Sequence, residues 1–482
     1  MNSLIICILI FLKNYYLLNL IQQRGYHLEY LMTDYLRHFY VFLFFNFLML
    51  PFFLDGNIVL KFLSLILLGL FLRYLLSKLK RKLLFTKRAF RILILSLFFL
   101  MLHQSFLIFA SEISIFLAVF ILKPYDYLVY RYYFKQGKKR LDNFPNIKIG
   151  ITGSYGKTST KYYLDTLLSA KYLTYKSPYS YNTAMGLCKI SYNLDQAYDI
   201  FIAEMGASHK GDIKELSTLV TPDITVITAI DIQHLKTFKK VSNIITEKLE
   251  LINSQKHGIT FINDDIYQRH KHLITSQVKI FTYGLNGNYS YKVNYQKNDL
   301  TNFDVFYKNE YLMTFETSVI GNHNLDNITV AIAIAHYLRV DLSLIAYKVQ
   351  ELTNVKARLS VVKTKYHTII NDGFNANLRG SLSAIEYLMS QDGLKAIITC
   401  GFVDLGSLKE CNHLALAKAM INIDLCILVH KKQSFTIYQY LINQGKKVYL
   451  CKNFKEAYAL FLTLFHEKKA TLLIENDLLD VY

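Results

Sequence analysis

Long runs of apolar residues fill the first quarter of the chain. Several reach the length of about 20 residues that a helix needs to cross a bilayer core about 30 Å thick. They lack the polar face of a helix buried in a soluble domain, and no small-residue cleavage site follows the first run, which disfavours a signal peptide. The pattern predicts an α-helical membrane region over residues 1–125 with four or five spans. The runs are 4–21, 39–54, 58–76, 92–110 and 113–122.

Basic residues mark the ends of these runs. Lys and Arg near a span favour its cytoplasmic end. They concentrate in 78–91 and 135–140, whereas the expected turns at 55–57 and 111–112 have none. The pattern therefore predicts a multi-pass protein of the cytoplasmic membrane whose domains after residue 125 lie in the cytoplasm. The basic residues are Lys78, Lys80, Arg81, Lys82, Lys87, Arg88, Arg91, Lys135, Lys138, Lys139 and Arg140.

The formal net charge of +19 is explained by the same clusters. Because much of the excess flanks the membrane spans, the expected partner is a lipid bilayer with anionic headgroups, and nucleic acid is not expected. The six cysteines form no CxxC pair, so neither a zinc site nor a disulfide framework is indicated.

From residue 145 onwards, short apolar strands alternate with helical patterns, as in parallel sheets covered by helices. The expected fold class is an α-helical membrane region followed by α/β domains. A basic linker over 126–144 leads into a P-loop central domain with a mostly parallel sheet over 145–345, and a smaller Rossmann-like C-terminal domain covers 346–482. Strands are predicted at 147–152, 200–204, 224–230, 258–263, 368–371, 396–399, 425–429 and 448–450.

A glycine-rich turn, GITGSYGKTST at 150–160, joins the first strand to a helix predicted over 157–170. Glycines let backbone N–H groups approach an anion, and a helix N-terminus adds positive dipole. Lys157 can reach terminal phosphates, and Thr158 can bind Mg²⁺. Ile151 stands where the strict GxxxxGK[ST] pattern requires glycine, and a purely structural turn is the alternative. The candidate nucleotide-binding residues of this turn are Gly153, Gly156, Lys157, Thr158 and Ser159.

Several segments resemble one family. The turn at 150–159 looks like the ATP loop of the Mur ligases and their folylpolyglutamate synthase relatives. SYNTAMG at 180–186 resembles the substrate-side segment of their central domain, and FIAEMGA at 201–207 resembles the strand end of the D-alanyl-D-alanine-adding members. The likeness covers roughly residues 148–430. It implies that the chain binds ATP and Mg²⁺.

The resemblance also implies a metal site. Glu204 is a hard oxygen ligand at a strand end, where open α/β sheets bind ligands. His234, in DIQHLKTF, resembles the family's metal-proximal histidine, and Lys248, in TEKLE, falls where several members carry a lysine carboxylated by CO₂. Without the family, these residues would be a capping or solvated carboxylate, a surface or core histidine and a helix-surface lysine. The implied catalytic residues are Lys157, Glu204, His234 and Lys248, and the implied metal ligands are Thr158, Glu204, His234 and Lys248.

Two further elements resemble the family's nucleotide-binding residues. Asn324 and Asn327, in GNHNLDN, stand three residues apart on one helical face, and an Asn-rich helix cap is the alternative. Arg358 resembles a nucleotide-contacting arginine, and Asp372, in INDGFNAN, resembles a ribose-contacting aspartate. Positions that depart from the family's usual residues are Asn371, Phe374, Leu378 and Asp404.

The implied activity is ATP-dependent ligation of an amino acid or dipeptide amine, such as D-alanyl-D-alanine, to a carboxylate-bearing cell-wall peptide precursor through an acyl phosphate. Membrane helices stand where soluble members carry the domain for the uridine-diphosphate end of the substrate. A lipid-linked or polymeric acceptor, as for poly-γ-glutamate synthase relatives, is therefore an alternative. A non-catalytic nucleotide-binding membrane scaffold is another. A transporter ATPase is disfavoured, because no second nucleotide signature is evident.

Overall fold

The computed structural model describes most of the chain in two compact units, 1–132 and 133–482. The predicted turn at 55–57 and most of the predicted span at 39–54 lie outside the described residues. The described residues are 2–23, 40–41, 43–44, 46–48, 58–78, 83–102, 107–297, 300–356, 358–373, 377–403 and 405–475.

The described residues of the N-terminal apolar region are helical except for 83–86. Helices α1 and α2 coincide with the predicted runs at 4–21 and 58–76, whereas α3 covers the first part of 92–110. Within the described residues, one helical stretch, Ile113–Asp142, is long and apolar enough to cross a membrane, and Ile58–Phe71 is apolar but shorter. The described residues thus contain one candidate span by length and composition, and the predicted four or five spans are not supported. The helices are α1 (Asn2–Gln23), α2 (Ile58–Lys78), α3 (Lys87–Leu102) and α4 (Leu107–Asp142).

Helix α4 corrects two expectations. Ser111 and Glu112, predicted in a turn between spans, lie inside α4, and the segment 126–144, predicted as a linker, is helical as far as Asp142. Neither serine nor glutamate is a strong helix breaker, so a short polar pair does not end a helix that its apolar neighbours favour.

The central α/β domain contains a nine-stranded sheet in the order β2-β3-β1-β4-β5-β6-β7-β8-β9. Neighbours from β2 to β7 are parallel, and β7, β8 and β9 pair antiparallel. The prediction of a mostly parallel sheet is confirmed, whereas the antiparallel edge was not predicted. Lys308 and Asn309 join β8 to β9 with φ angles of 52° and 68°. The strands are β1 (Ile147–Thr152), β2 (Thr174–Lys176), β3 (Ile200–Glu204), β4 (Ile224–Ile227), β5 (Ile259–Asn263), β6 (Lys279–Gly284), β7 (Tyr289–Lys297), β8 (Leu300–Tyr307) and β9 (Glu310–Thr317).

One apolar core joins the helices of this domain to its sheet. Ile328 and Ile332 of α11 share this core with Ile149 of β1 and Ile202 of β3. Burial of these side chains holds the start of α11 beside the turn that follows β1. The helices are α5 (Lys157–Leu168), α6 (Ala184–Ile190), α7 (Asp212–Val220), α8 (Leu235–Phe238), α9 (Val241–Asn253), α10 (Asp264–His270), α11 (Asn322–Tyr337) and α12 (Leu342–Gln350).

The C-terminal domain contains a six-stranded sheet in the order β10-β11-β15-β12-β13-β14. Only the pair β10–β11 among its described pairs is antiparallel, as in a Rossmann-like sheet with one reversed edge strand. Leu352 belongs to the central core and Leu359 to the C-terminal core. The elements are β10 (Ser360–Lys363), β11 (His367–Asp372), α13 (Leu378–Ser390), β12 (Leu394–Thr399), α14 (Lys409–Ala419), β13 (Leu425–Val429), α15 (Phe435–Asn443), β14 (Val448–Cys451), α16 (Phe454–Leu464) and β15 (Ala470–Glu475).

Candidate functional site

The glycine-rich turn lies between β1 and α5, as the sequence predicts. Gly153 and Gly156 have φ angles of 153° and 82°, which favour glycine. A Cβ atom on Gly153 would lie 2.1 Å from the Thr228 Oγ1 atom and 2.9 Å from the backbone nitrogen of Ala229. The close approach of the chain after β4 therefore requires glycine here. The turn presents the N-terminus of the 12-residue helix α5, a suitable environment for phosphate.

The Lys157 side chain folds back over this turn. Its Nζ atom donates to the carbonyl oxygens of Gly153 at 2.6 Å and Ser154 at 3.1 Å. Burial lowers the pKa of Lys157, the Glu204 carboxylate opposes this effect and the Arg358 charge adds to it, so that the pKa is about 8. The ammonium group thus lies at the mouth of the phosphate turn, with one carboxylate as its counter-charge.

Glu204 ends β3, directly beside β1, because Ile151 and Glu204 are register partners. Its side chain is 2% exposed. Its Oε2 atom accepts a hydrogen bond from Thr158 Oγ1 at 3.1 Å, and its Oε1 atom accepts one from Asn182 Nδ2 at 3.2 Å. Burial raises the pKa of Glu204, but the charges of Lys161 and Lys157 outweigh burial and leave it below its ordinary value. The carboxylate is therefore ionised, and the interpretation as a solvated residue is wrong.

Thr158 and Glu204 together fit a magnesium ion. A hydroxyl and an ionised carboxylate in contact are hard oxygen donors, and Mg²⁺ needs few protein ligands when phosphates supply the rest. Glu204 ends β3, and Thr158 begins the helix that follows the adjacent parallel strand β1, so both lie at the carboxyl edge of the sheet, where open α/β sheets bind ligands. Asn182 belongs to the 180–186 segment, so that segment also contacts the site.

Lys161 was not predicted as a site residue. It lies one turn after Lys157 on α5, and its side chain is fully buried. Its Nζ atom lies 3.0 Å from Glu204 Oε2 and also donates to the carbonyl oxygen of Tyr179. The sequence offered one signal, the four-residue spacing from Lys157, which places both lysines on one helical face.

Lys248 lies on α9, and its side chain is 4% exposed, so the interpretation as a surface lysine is wrong. Burial, together with the Lys157 charge, lowers the pKa of Lys248 to about 7. The neighbouring Glu247 accepts hydrogen bonds from the backbone nitrogens of Gly211 and Ile213 at 2.8 and 2.7 Å. The Glu247 carboxylate thereby accepts from N–H groups at the start of α7. Its hydrogen bonds are made with that helix and not with the buried amine of Lys248.

His234 occupies a different environment. It is exposed, has a φ angle of 53° and precedes the short helix α8. Across the described parts of the chain, no three His, Cys, Asp or Glu side chains are grouped to hold a metal. The structure therefore brings Thr158 and Glu204 together, while the assignment of His234 and Lys248 as ligands stays a prediction.

The predicted asparagine pair packs against the phosphate helix. Asn327 Nδ2 donates to Asn324 Oδ1 at 3.2 Å, and Thr160 Oγ1 donates to Asn327 Oδ1 at 3.2 Å. The adjacent Ser159 is buried on the same helix, α5. Both asparagines are buried, which excludes a simple solvated helix cap. They are held in place beside the phosphate turn.

A cavity of about 70 Å³ opens beside this pair. Burial lowers the pKa of His323 to about 4 and raises that of Asp326 to about 6, so this region contains a neutral imidazole. Arg379 of α13 also lines the cavity and hydrogen-bonds Tyr155 of the phosphate turn. Arg379 was not predicted as a site residue.

Arg358 and Asp372 lie at the start of the C-terminal domain. Asp372 is fully buried, and its Oδ1 atom accepts a hydrogen bond from the backbone nitrogen of Leu359 at 2.9 Å. Asp372 thus fixes the chain next to Arg358, whose charge reaches Lys157 and His323. Of the departures from the family pattern, Phe374 and Asp404 lie outside the described residues.

Comparison with known proteins finds similarity over the central domain. Residues 151–335 match the family model of the Mur ligase middle domain. A relative from Bacillus subtilis (strain 168), named UDP-N-acetylmuramoyl-tripeptide--D-alanyl-D-alanine ligase, is 30% identical over 270 residues, 55% of this chain and 58% of the relative. A relative of the same name from Buchnera aphidicola subsp. Baizongia pistaciae is 28% identical over 283 residues, 58% of this chain and 61% of the relative. The chain thus spans about three fifths of the length of these relatives.

The fold also matches a solved structure. MurF ligase from Thermotoga maritima in complex with ADP superposes with a TM-score of 0.65 at 24% sequence identity, over 73% of this chain and 81% of that chain. The α/β part therefore has the Mur ligase fold, with two large mixed sheets.

Proposed function

We propose that this chain is an ATP-dependent ligase that forms an amide bond between a carboxylate and an amine, because residues 151–335 match the family model of the Mur ligase middle domain. The observation that carries this proposal is the contact between Thr158 and the buried, ionised Glu204 beside the phosphate turn. A purely structural turn would not require an ionised carboxylate at this position.

The proposed reaction has two steps. A substrate carboxylate oxygen attacks the γ-phosphorus of ATP, the bond to the β–γ bridging oxygen breaks, and an acyl phosphate and ADP form. The amine then attacks the acyl carbon, loses a proton and expels inorganic phosphate. Mg²⁺, held by Thr158 and Glu204, would neutralise phosphate charge. The ammonium of Lys157 would stabilise the charge on the transferring phosphoryl group, and Arg358 would contribute from the C-terminal domain.

The proposed ligand set extends to His234 and Lys248. Carboxylation by CO₂ needs a neutral amine, and a pKa of about 7 makes the Lys248 amine far more available than an ordinary lysine. The carbamate would then be a further oxygen ligand for magnesium. Asn324, Asn327 and Asp372 would position the nucleotide.

For the substrates, we propose D-alanyl-D-alanine or a similar amine and a cell-wall peptide carboxylate. The relatives named for this reaction support the assignment. A lipid-linked acceptor is the second candidate, because α2 exposes many large apolar side chains, including Leu60, Phe62 and Leu67. Such a helix is stable in lipid. We further propose that the N-terminal unit inserts in the cytoplasmic membrane, with the α/β part on the cytoplasmic side.

Formation of ADP by the purified full-length protein in detergent would test the ligase. We expect Mg²⁺-dependent ADP formation that requires both a carboxylate acceptor and an amine, with soluble and lipid-linked acceptors assayed in parallel. Lys157→Ala should abolish it, whereas Lys214→Ala, at an exposed position on α7, should not. ATP binding without acceptor-dependent turnover would favour the nucleotide-binding scaffold instead.

A further inference from the structure

The ion pair between Lys161 and Glu204 is the most deeply buried one described in the α/β part. The two side chains are 0% and 2% exposed, and the Nζ and Oε2 atoms are 3.0 Å apart. The mechanism proposed above uses Glu204 and makes no use of Lys161. Burying a charged lysine away from water costs free energy, so the position of Lys161 beside Glu204 requires a physical explanation.

Lys161 is held from two sides. Besides Glu204, its ammonium donates to the carbonyl oxygen of Tyr179, a residue with a φ angle of 47°. A side chain anchored at both points and without solvent contact cannot swing away into water. The positive charge is therefore a permanent part of the environment of Glu204.

Glu204 has most of its hydrogen-bonding capacity in use. Oε2 accepts from both Lys161 and Thr158, and Oε1 accepts from Asn182. A carboxylate offers about four acceptor positions, so about one is free for a cation. The charges of Lys157 and Arg358 also act on this small region. A divalent cation arriving alone would thus meet several positive groups and one carboxylate.

We propose that Lys161 is the resident counter-cation of Glu204 and excludes Mg²⁺ from this carboxylate until nucleotide phosphates supply additional negative charge. The metal accordingly enters with the nucleotide and not before it. This inference rests on the proposed function, because the metal is taken to serve a bound nucleotide. It makes Lys161 a positioning residue that sets the order of binding.

Mn²⁺ binding without nucleotide tests the inference directly. In full-length protein, Mn²⁺ titrations followed by electron paramagnetic resonance should show weak binding to the wild type and binding at least about tenfold tighter to Lys161→Met, because one repelling charge is gone. Lys161→Arg should behave as wild type. The gain should disappear in Lys161→Met combined with Glu204→Gln. Lys214→Met removes the same charge from an exposed position and should leave Mn²⁺ affinity unchanged.

Unchanged or weaker Mn²⁺ binding by a folded Lys161→Met protein would overturn the inference. The wild type provides a second test that needs no variant: ADP should tighten its Mn²⁺ binding by at least about tenfold. Equal Mn²⁺ affinity with and without ADP, in a protein that binds ADP, would equally overturn it. A wild type that binds no ADP would instead refute the proposed function, and the nucleotide-free titration of Lys161→Met would still decide the role of Lys161.

Discussion

Replacing Gly153 by alanine would test whether the phosphate turn needs its observed shape. The added Cβ atom would lie 2.1 Å from Thr228 Oγ1, with the Ala229 backbone close behind at 2.9 Å. Overpacking of this kind costs about 1–3 kcal/mol, and a positive φ angle adds about 1–2 kcal/mol for a side chain. We therefore expect Gly153→Ala to lower the free energy of unfolding by about 2–5 kcal/mol and to abolish measurable Mg²⁺–ADP binding.

Gly211→Ala is a matched control. Gly211 has a φ angle of 98°, but a Cβ atom there meets nothing within 4 Å. It should lose about 1–2 kcal/mol from backbone strain alone and keep ADP affinity. Denaturation followed by circular dichroism and calorimetric titration with ADP would measure both effects. The double substitution Gly153→Ala and Thr228→Ala should recover part of the stability. Wild-type ADP affinity in Gly153→Ala would refute the reasoning.

Three further predictions concern the surrounding groups. Because burial lowers the pKa of Lys248 to about 7, the neutral fraction of its amine rises as the pH rises through about 7. Labelling of this amine by ¹³C-bicarbonate, followed by carbon NMR, should therefore increase over that range. It should vanish in Lys248→Arg. Asp372→Ala removes the acceptor for the Leu359 N–H and should cost about 1–3 kcal/mol in urea denaturation and weaken ADP binding; unchanged stability would contradict this. Glu247→Ala leaves the N–H groups of Gly211 and Ile213 without their acceptor and should cost about 2 kcal/mol, with Glu250→Ala, at a less buried position, as its control.

Strands buried in the parallel part of the sheet were predictable because their apolar runs are continuous. β1 and β3 have the predicted bounds, 147–152 and 200–204. The antiparallel strands β7–β9 were missed, because sequences such as YSYKVNYQK mix Tyr with Lys and Asn and resemble loop as much as strand. β15 was not predicted although all its residues are buried, because so short an apolar run can belong to a strand or to a buried helix.

The grouping of Lys157, Thr158 and Glu204 beside the phosphate turn was predictable, because each of them belongs to a sequence motif. Lys161 was not predicted as a site residue, because a lysine within a helix usually lies on the solvated face and composition does not reveal burial. Arg379 was not predicted because its contact with Tyr155 depends on how the central and C-terminal domains pack together. The prediction of a turn at 111–112 was wrong, since local polarity does not decide where a helix ends.

The strand order has a practical consequence. Six steps separate β1 from β9 in the central sheet, and at about 4.8 Å per step the hairpin tip at Lys308 and Asn309 stands roughly 29 Å from the phosphate turn. Both tip residues are exposed. A fluorophore or affinity label attached there would follow nucleotide binding without entering the candidate site.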